Sequence, residues 1–313
     1  MNTRLLKTLC LAAIAAICLS TACAAQTEEE KPSSVSFTDQ LGRTVTLDSL
    51  PGKIVSLSPT NTEILYALGI EDRIAGVTTF CDYPVEAADK PKVGGFSTPN
   101  IEAIVALSPD LVIAAPRHEK DIIPQLESKG LTVLGLNPQS FDSIMEAITL
   151  VGDVTGTEKK AEELTGEMES RINAVTGKVG SLSESKKPSV FYLTWHDPLK
   201  TSGTGTLADE LIIKAGGRNL FSDISGIQSI DFEMLVARNP QVMIAGIGMG
   251  SGEDIPLTYL LEESRLKNTE AGKNGAIYGT DMDLSGRGGP RIVDGLEEFA
   301  RCIHPEIFGN PGN

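Results

Sequence analysis

Two glutamates, Glu102 and Glu233, recur at matched places in this 313-residue chain. Ile101 to Ala115 and Phe232 to Gly246 lie 131 residues apart and agree at six of fifteen aligned positions. Each stretch reads as a short helix, a Pro turn and a buried strand, with one glutamate in the first helical turn behind Asn100 or Asp231. An acid there stabilises the helix macrodipole by about 0.3–1 kcal/mol, which accounts for one glutamate but not for its return. Two acidic knobs on two related halves suit symmetric docking on a partner through complementary charge.

A second group of residues is suited to holding a ligand. Aromatics make up only 5% of the chain, yet Phe80, Tyr83, Phe96 and the single tryptophan, Trp195, all fall in loops that follow predicted strands. Ligands of open α/β sheets bind outside the carboxyl ends of the strands. Aromatic walls there suit a large, flat, partly apolar ligand, with at least one of the four rings expected to be core beneath the loops. His196, beside Trp195, has the chemistry to hydrogen-bond a ligand or to ligate its metal; a satisfied loop histidine is the commoner outcome. The segment from Asp281 to Arg291 adds Asp283, Arg287 and Arg291, and with Arg117 these arginines offer a modest basic cluster to an anionic ligand.

Catalytic signatures are missing. There is no Gly-x-Ser-x-Gly elbow, no His-Glu-x-x-His and no Cys-x-x-Cys, and His118, His196 and His304 are too scattered for a metal signature. Gly203 to Ala208 fits the loose dinucleotide fingerprint, but seven residues separate it from Trp195 and break the tight strand-to-helix turn it needs. Gly246 to Gly252 fits neither that pattern nor a P-loop and reads as a mobile loop. An exported enzyme or redox protein on a Rossmann-like scaffold is the competing class, testable by removing His196 and Asp197.

The elements that position these residues alternate strand and helix, which implies parallel pairing. Two Rossmann-like lobes with mainly parallel sheets are expected, at 35–155 and 186–313, with the ligand cleft between them. A long helix at 156–185 joins them: Ala161, Leu164, Met168, Ile172, Val175, Val179 and Leu182 recur at steps of three or four. It should run about 26 residues, roughly 39 Å, with Glu167 and Arg171 as an i,i+4 pair on its wet side. A second echo, Glu63-Ile64-Leu65 before Gly69 against Glu210-Leu211-Ile212 before Gly216, supports duplication.

Residues 1–22 read as a secretory signal, with Arg4 and Lys7 ahead of an apolar run too short to span a membrane. Cleavage before Cys23 would leave a cysteine for lipid attachment, with 23–34 as a flexible tether; an ordinary cleavage releasing a soluble protein is the other reading. Without the signal the chain has 25 basic against 42 acidic residues, a net charge of −17, which argues against nucleic acid and against an anionic membrane face. Cys81 and Cys302 then fall in opposite halves and read as unpaired thiols, a disulfide remaining the alternative.

Together these residues resemble the substrate-binding proteins of ABC importers for cobalamin and ferric siderophores. The resemblance rests on Ile54 to Glu63, Asp82-Tyr83-Pro84, Asn100-Ile101-Glu102, Pro109 to Ile113 and the closing Gly289-Pro290-Arg291, and covers nearly the whole mature chain. It implies a monomer of two lobes with little hinge motion, a transported ligand and no cofactor or catalysis, and partners in an ABC permease and its ATPase. It assigns Glu102 and Glu233 to arginines on that permease. Among the family's branches the Phe80, Phe96 and Arg287 loops look most like those that hold a corrinoid, vitamin B12, in the cobalamin binders; a ferric siderophore or haem is the alternative. The protein would work outside the cytoplasmic membrane, touching it only through a lipid at Cys23.

Overall fold

The computed structural model describes residues 34–248 and 254–311. The signal segment, Cys23, nearly all of the tether and residues 249–252 of the glycine-rich loop lie outside them. The described chain opens on an antiparallel hairpin, β1 (Val35–Thr38) and β2 (Thr44–Leu47). The first lobe follows, with β3 (Ile54–Ser56), β4 (Ile74–Val77), β5 (Leu111–Ala114) and β6 (Val133–Gly135) in one parallel sheet ordered β4-β3-β5-β6. Its helices are α1 (Pro59–Ala67), α2 (Ile101–Ala106), α3 (Ile122–Ser128) and α4 (Phe141–Thr155).

Every residue of β3, β5 and β6 is buried, as expected of a parallel sheet covered on both faces. The period-2 alternation of strand side chains sorts them into two cores. Val55, Val112, Ala114 and Val133 pack with Ile104 of α2 and with Ile123 and Leu126 of α3. Ile54, Leu111, Ile113 and Leu134 face the other way, onto Ile144 and Ile148 of α4 and beyond.

The next helix, α5 (Glu158–Val179), is 22 residues long, about 33 Å at helical rise. It begins and ends inside the predicted span and buries Ala161, Met168, Ile172, Val175 and Val179 along one face. Arg171 does not pair with Glu167 as the spacing suggested. It donates from Nη2 to Asp294 (2.6 Å) and from Nε to Glu297 (2.9 Å), tying the long helix to the last one. The two acids of that helix stand opposite Arg171 and outcompete a neighbour on its own helix.

The second lobe comprises β7 (Ser189–His196), β8 (Leu199–Ser202), α6 (Leu207–Lys214), β9 (Arg218–Asn219), β10 (Ile227–Ser229), α7 (Phe232–Arg238), β11 (Val242–Ile247), α8 (Ile255–Glu262), α9 (Glu270–Asn274), β12 (Ile277–Asp281), α10 (Met282–Gly286), α11 (Ile292–Ile303) and α12 (Pro305–Phe308). Its sheet runs β10-β8-β7-β11-β12, with β9 beside β7. The strands β7, β11 and β12 are parallel, whereas β8 and β10 are antiparallel. The antiparallel edge arises at Asp197 and Pro198, where the chain turns straight back on itself instead of entering a helix.

One apolar cluster runs unbroken from Ile54 and Leu111 through Met168 and Ile172 of α5 to Tyr192, Ile244, Leu296 and Phe299 in the second lobe. The lobes therefore share a core rather than meeting across a hinge. The repeat is visible in the backbone too. Ser108 (φ 47°) and Asn239 (φ 49°) are the only non-glycine residues with positive φ among those described, and they occupy matched positions before Pro109 and Pro240. Cys81 and Cys302 are both buried and free, with no disulfide between them.

A candidate ligand cavity between the lobes

The first lobe's strands deliver their loops to one rim. After β3, Ser58 caps α1 by accepting the Asn61 N–H (3.2 Å), and Pro59 supplies the preset φ of the first helical position. Asn61 then donates to the carbonyls of Ile113 and Ala114 (3.2 Å each), so α1 is bonded to the end of β5. These loops, with those after β4 and β6, surround a cavity of about 510 Å³. Phe80, Phe96, Pro116 and Pro138 form its walls, and Gly286, Arg287 and Gly288 of the second lobe close it. At Gly288 the two lobes touch so closely that a methyl group would collide with the Pro138 carbonyl oxygen.

Beneath the cavity the lobes are joined by charge. Glu63 of α1, whose side chain is only 2% exposed, accepts from Arg291 Nε (2.9 Å) and Nη2 (2.8 Å), and Arg287 Nη1 lies 3.3 Å away. Arg287 also pairs with Asp82 (2.8 Å) and Asp283 (2.9 Å), and the Arg291 guanidinium stacks on the Tyr83 ring at 3.7 Å. The adjacent arginine holds the Asp82 carboxyl below its usual range, against the opposing effect of burial, and burial pushes that of Asp283 up. The basic cluster read from the sequence is thus committed: Arg287 and Arg291 are bound to carboxylates, and Arg117 is exposed and does not line the cavity.

Glu63 is a site residue that the sequence signals only through its echo with Glu210. Glu210 of α6 also reaches across the lobes, accepting the Phe141 N–H at the start of α4 (2.9 Å), while Lys214 lies over the Phe141 ring at 5.1 Å. The matched glutamates are matched ties.

His118, which the sequence shows only as one of three scattered histidines, is a second such residue. It is fully buried; its Nδ1 accepts the Ala115 N–H (3.0 Å), which leaves the ring proton on Nε2 to be donated to the Phe96 carbonyl (2.6 Å). A neutral imidazole thus pins the Phe96 loop to the turn after β5, and the two rings meet edge to face at 5.2 Å. Burial holds the His118 pKa below its ordinary value.

The aromatic residues separate. Phe80 (60% exposed) and the half-buried Phe96 line the cavity. Tyr83 lies beyond the charge cluster, on a second cavity of about 380 Å³ beside Tyr66 and Met168. Trp195 and His196 line neither; they pack on each other (4.9 Å) and His196 on Tyr259 (5.9 Å), and His196 Nδ1 is buried without a partner. Contrary to expectation, none of the four aromatic rings is core. Asp283 is bound to Arg287 and does not itself line the cavity. Glu102 and Glu233 stand exposed at the starts of α2 and α7. Asn100 caps α2 by accepting the Ala103 N–H, Asp231 makes no such bond, and Glu233 has Arg265 at 3.8 Å.

The periplasmic binding protein family matches residues 54–284. The chain belongs to that family. Its members serve ABC importers as solute-binding proteins rather than enzymes, and what they hold is cargo, not a cofactor. This family member is 35% identical over 282 residues to an uncharacterized ABC transporter substrate-binding lipoprotein of Bacillus subtilis, covering 88% of this chain and 87% of the relative. It is 29% identical over 272 residues to a cobalamin-binding protein of Halobacterium salinarum, covering 85% and 73%. The crystal structure of a periplasmic heme binding protein from Pseudomonas aeruginosa superimposes with a TM-score of 0.74 at 26% identity, covering 82% of this chain and 94% of that one. Among the described residues no helix is long and apolar enough to cross a membrane.

Proposed function

We propose that this protein captures a corrinoid, cobalamin in the first instance, outside the cytoplasmic membrane and delivers it as a monomer to an ABC permease and its ATPase. One observation carries the choice of ligand: the cavity has aromatic walls but no metal-ligating side chain and no unpaired cation. Among its described lining residues there is no His, Tyr, Cys or Met, and its single arginine is bound to carboxylates. Haem iron takes an axial ligand from the protein, and an anionic ferric chelate calls for free positive charge. Cobalamin brings its cobalt already ligated and is electroneutral overall, so it asks for shape, aromatic contact and neutral hydrogen-bonding groups such as Ser97 and Gln139, which are present. The name of the Halobacterium salinarum relative points the same way.

Phe80 and Phe96 are the residues assigned to the corrin, with Arg287 below; Tyr83, Trp195, His196 and Asp283 act behind them or beyond the rim. Glu102 and Glu233 are assigned to the permease, and Cys23 to the lipid anchor, as the lipoprotein name of the Bacillus subtilis relative supports. Haem is the second reading, favoured by the overlap with the Pseudomonas aeruginosa structure. Visible spectroscopy separates the two. Bound cyanocobalamin should keep the spectrum of the free molecule, because no protein group ligates cobalt. A spectrum of axially ligated haem, with no cobalamin bound, would overturn the assignment.

A further inference from the structure

Two cations and three carboxylates meet beneath the cavity, a net charge of −1. They do not all serve the same purpose. Glu63, at 2% exposure, is gripped at two points by Arg291 and needs no further partner. Asp82 and Asp283 are 63% and 37% exposed, and both bind Arg287, the only cationic side chain lining the cavity among the described residues. Arg287 donates through Nη1 to Asp82 (2.8 Å) and pairs through Nη2 with Asp283 (2.9 Å), so its guanidinium is clamped from both lobes.

We infer that Asp82 and Asp283 are specificity-determining residues that withhold Arg287 from the ligand and so select an electroneutral ligand over an anionic one of similar size. This rests on reading the cavity as the ligand site. A free guanidinium there would make charge-assisted hydrogen bonds to a carboxylate or catecholate; one already held by two acids adds no net attraction, and the surplus negative charge repels.

The test is a gain of function. Asp82→Asn with Asp283→Asn keeps the shapes, leaves Arg287 with Glu63 alone and turns the net charge from −1 to +1. Haemin, a dianion at its propionates, is the anionic probe and cyanocobalamin the neutral one. The double variant should bind haemin roughly ten- to a hundredfold more tightly than wild type, and its haemin-to-cyanocobalamin affinity ratio should rise with it. Adding Arg287→Gln should abolish the gain. A folded double variant with no gain, or a gain that survives Arg287→Gln, overturns the inference. Because the gain is read with haemin alone, failure of the corrinoid assignment leaves it standing. Haemin binding indifferent to Phe96→Ala would instead sink the cavity reading, and the inference with it.

Discussion

Replacing Arg291 by methionine should unsettle the joint between the lobes more than any single change in the cavity itself. Arg291 gives the nearly inaccessible Glu63 two hydrogen bonds, at 2.8 and 2.9 Å, and lies on Tyr83 at 3.7 Å. Methionine keeps much of the aliphatic stem but leaves Glu63 with one 3.3 Å contact, to an arginine that two other acids already occupy. Breaking a buried pair by removing one partner costs about 3–5 kcal/mol. The surviving Arg287 places this case at the lower end, and loss of the stacking adds roughly 0.5–1 kcal/mol. At about 2 °C per kcal/mol for a chain of this size, the melting temperature at neutral pH should fall by about 6–8 °C. Arg291→Lys keeps the charge but neither the fork nor the stacking, and should lose about a third as much. Adding Glu63→Gln to Arg291→Met removes the stranded charge and should restore part of the loss. Circular-dichroism melts of the four proteins decide it. A single variant within about 1 °C of wild type, or a double variant less stable than Arg291→Met, would refute the latch.

Other outcomes follow from the same geometry. Burial lowers the His118 pKa, so the folded protein resists a proton that the unfolded chain takes up below about pH 6.5. The neutral histidine therefore costs nothing above that pH and erodes stability as the pH falls through it. Urea melts of wild type and His118→Gln should show a constant difference at about pH 7–8 that shrinks towards about pH 5; a pH-independent difference contradicts the neutral pin. In fluorescence or calorimetric titrations, Phe96→Ala should weaken ligand binding by roughly tenfold or more, and Trp195→Phe by less than about threefold, since Trp195 does not line the cavity; the reverse order would move the ligand to the second lobe's loops. Glu102→Lys with Glu233→Lys should leave ligand affinity intact and abolish uptake, because like charges would meet across the permease interface. Normal uptake by the double variant removes the docking assignment.

Local periodicity made the scaffold legible in the sequence. The three- and four-residue steps from Ala161 to Val179 announced the long helix, and the repeat announced a buried strand at Leu111–Ala114. What escaped was decided by partners distant in sequence. Glu63 looked like an ordinary residue of a first helix, and only the fold brings it to Arg287 and Arg291, more than 220 positions away. The same distance misled the reading of those arginines as free cations. Arg171 was given its i,i+4 neighbour because the sequence cannot show that α11 presents Asp294 and Glu297 to it. Helix α4 does carry local signals, a Ser140 cap and the spacing of Phe141, Ile144, Ile148 and Val151. Phe80, Tyr83 and Phe96 do lie in loops, but Trp195 and His196 belong to the end of β7, because the turn at Asp197 and Pro198 pairs them with β8 in a hairpin instead of releasing them into a loop.

Calorimetric titration of the protein beginning at Ala24 with cyanocobalamin, alongside haemin and a ferric siderophore, tests the central claim most directly. The account predicts one-to-one binding of cyanocobalamin alone, weakened by Phe96→Ala. Silence with cyanocobalamin and tight binding of either iron compound would contradict it.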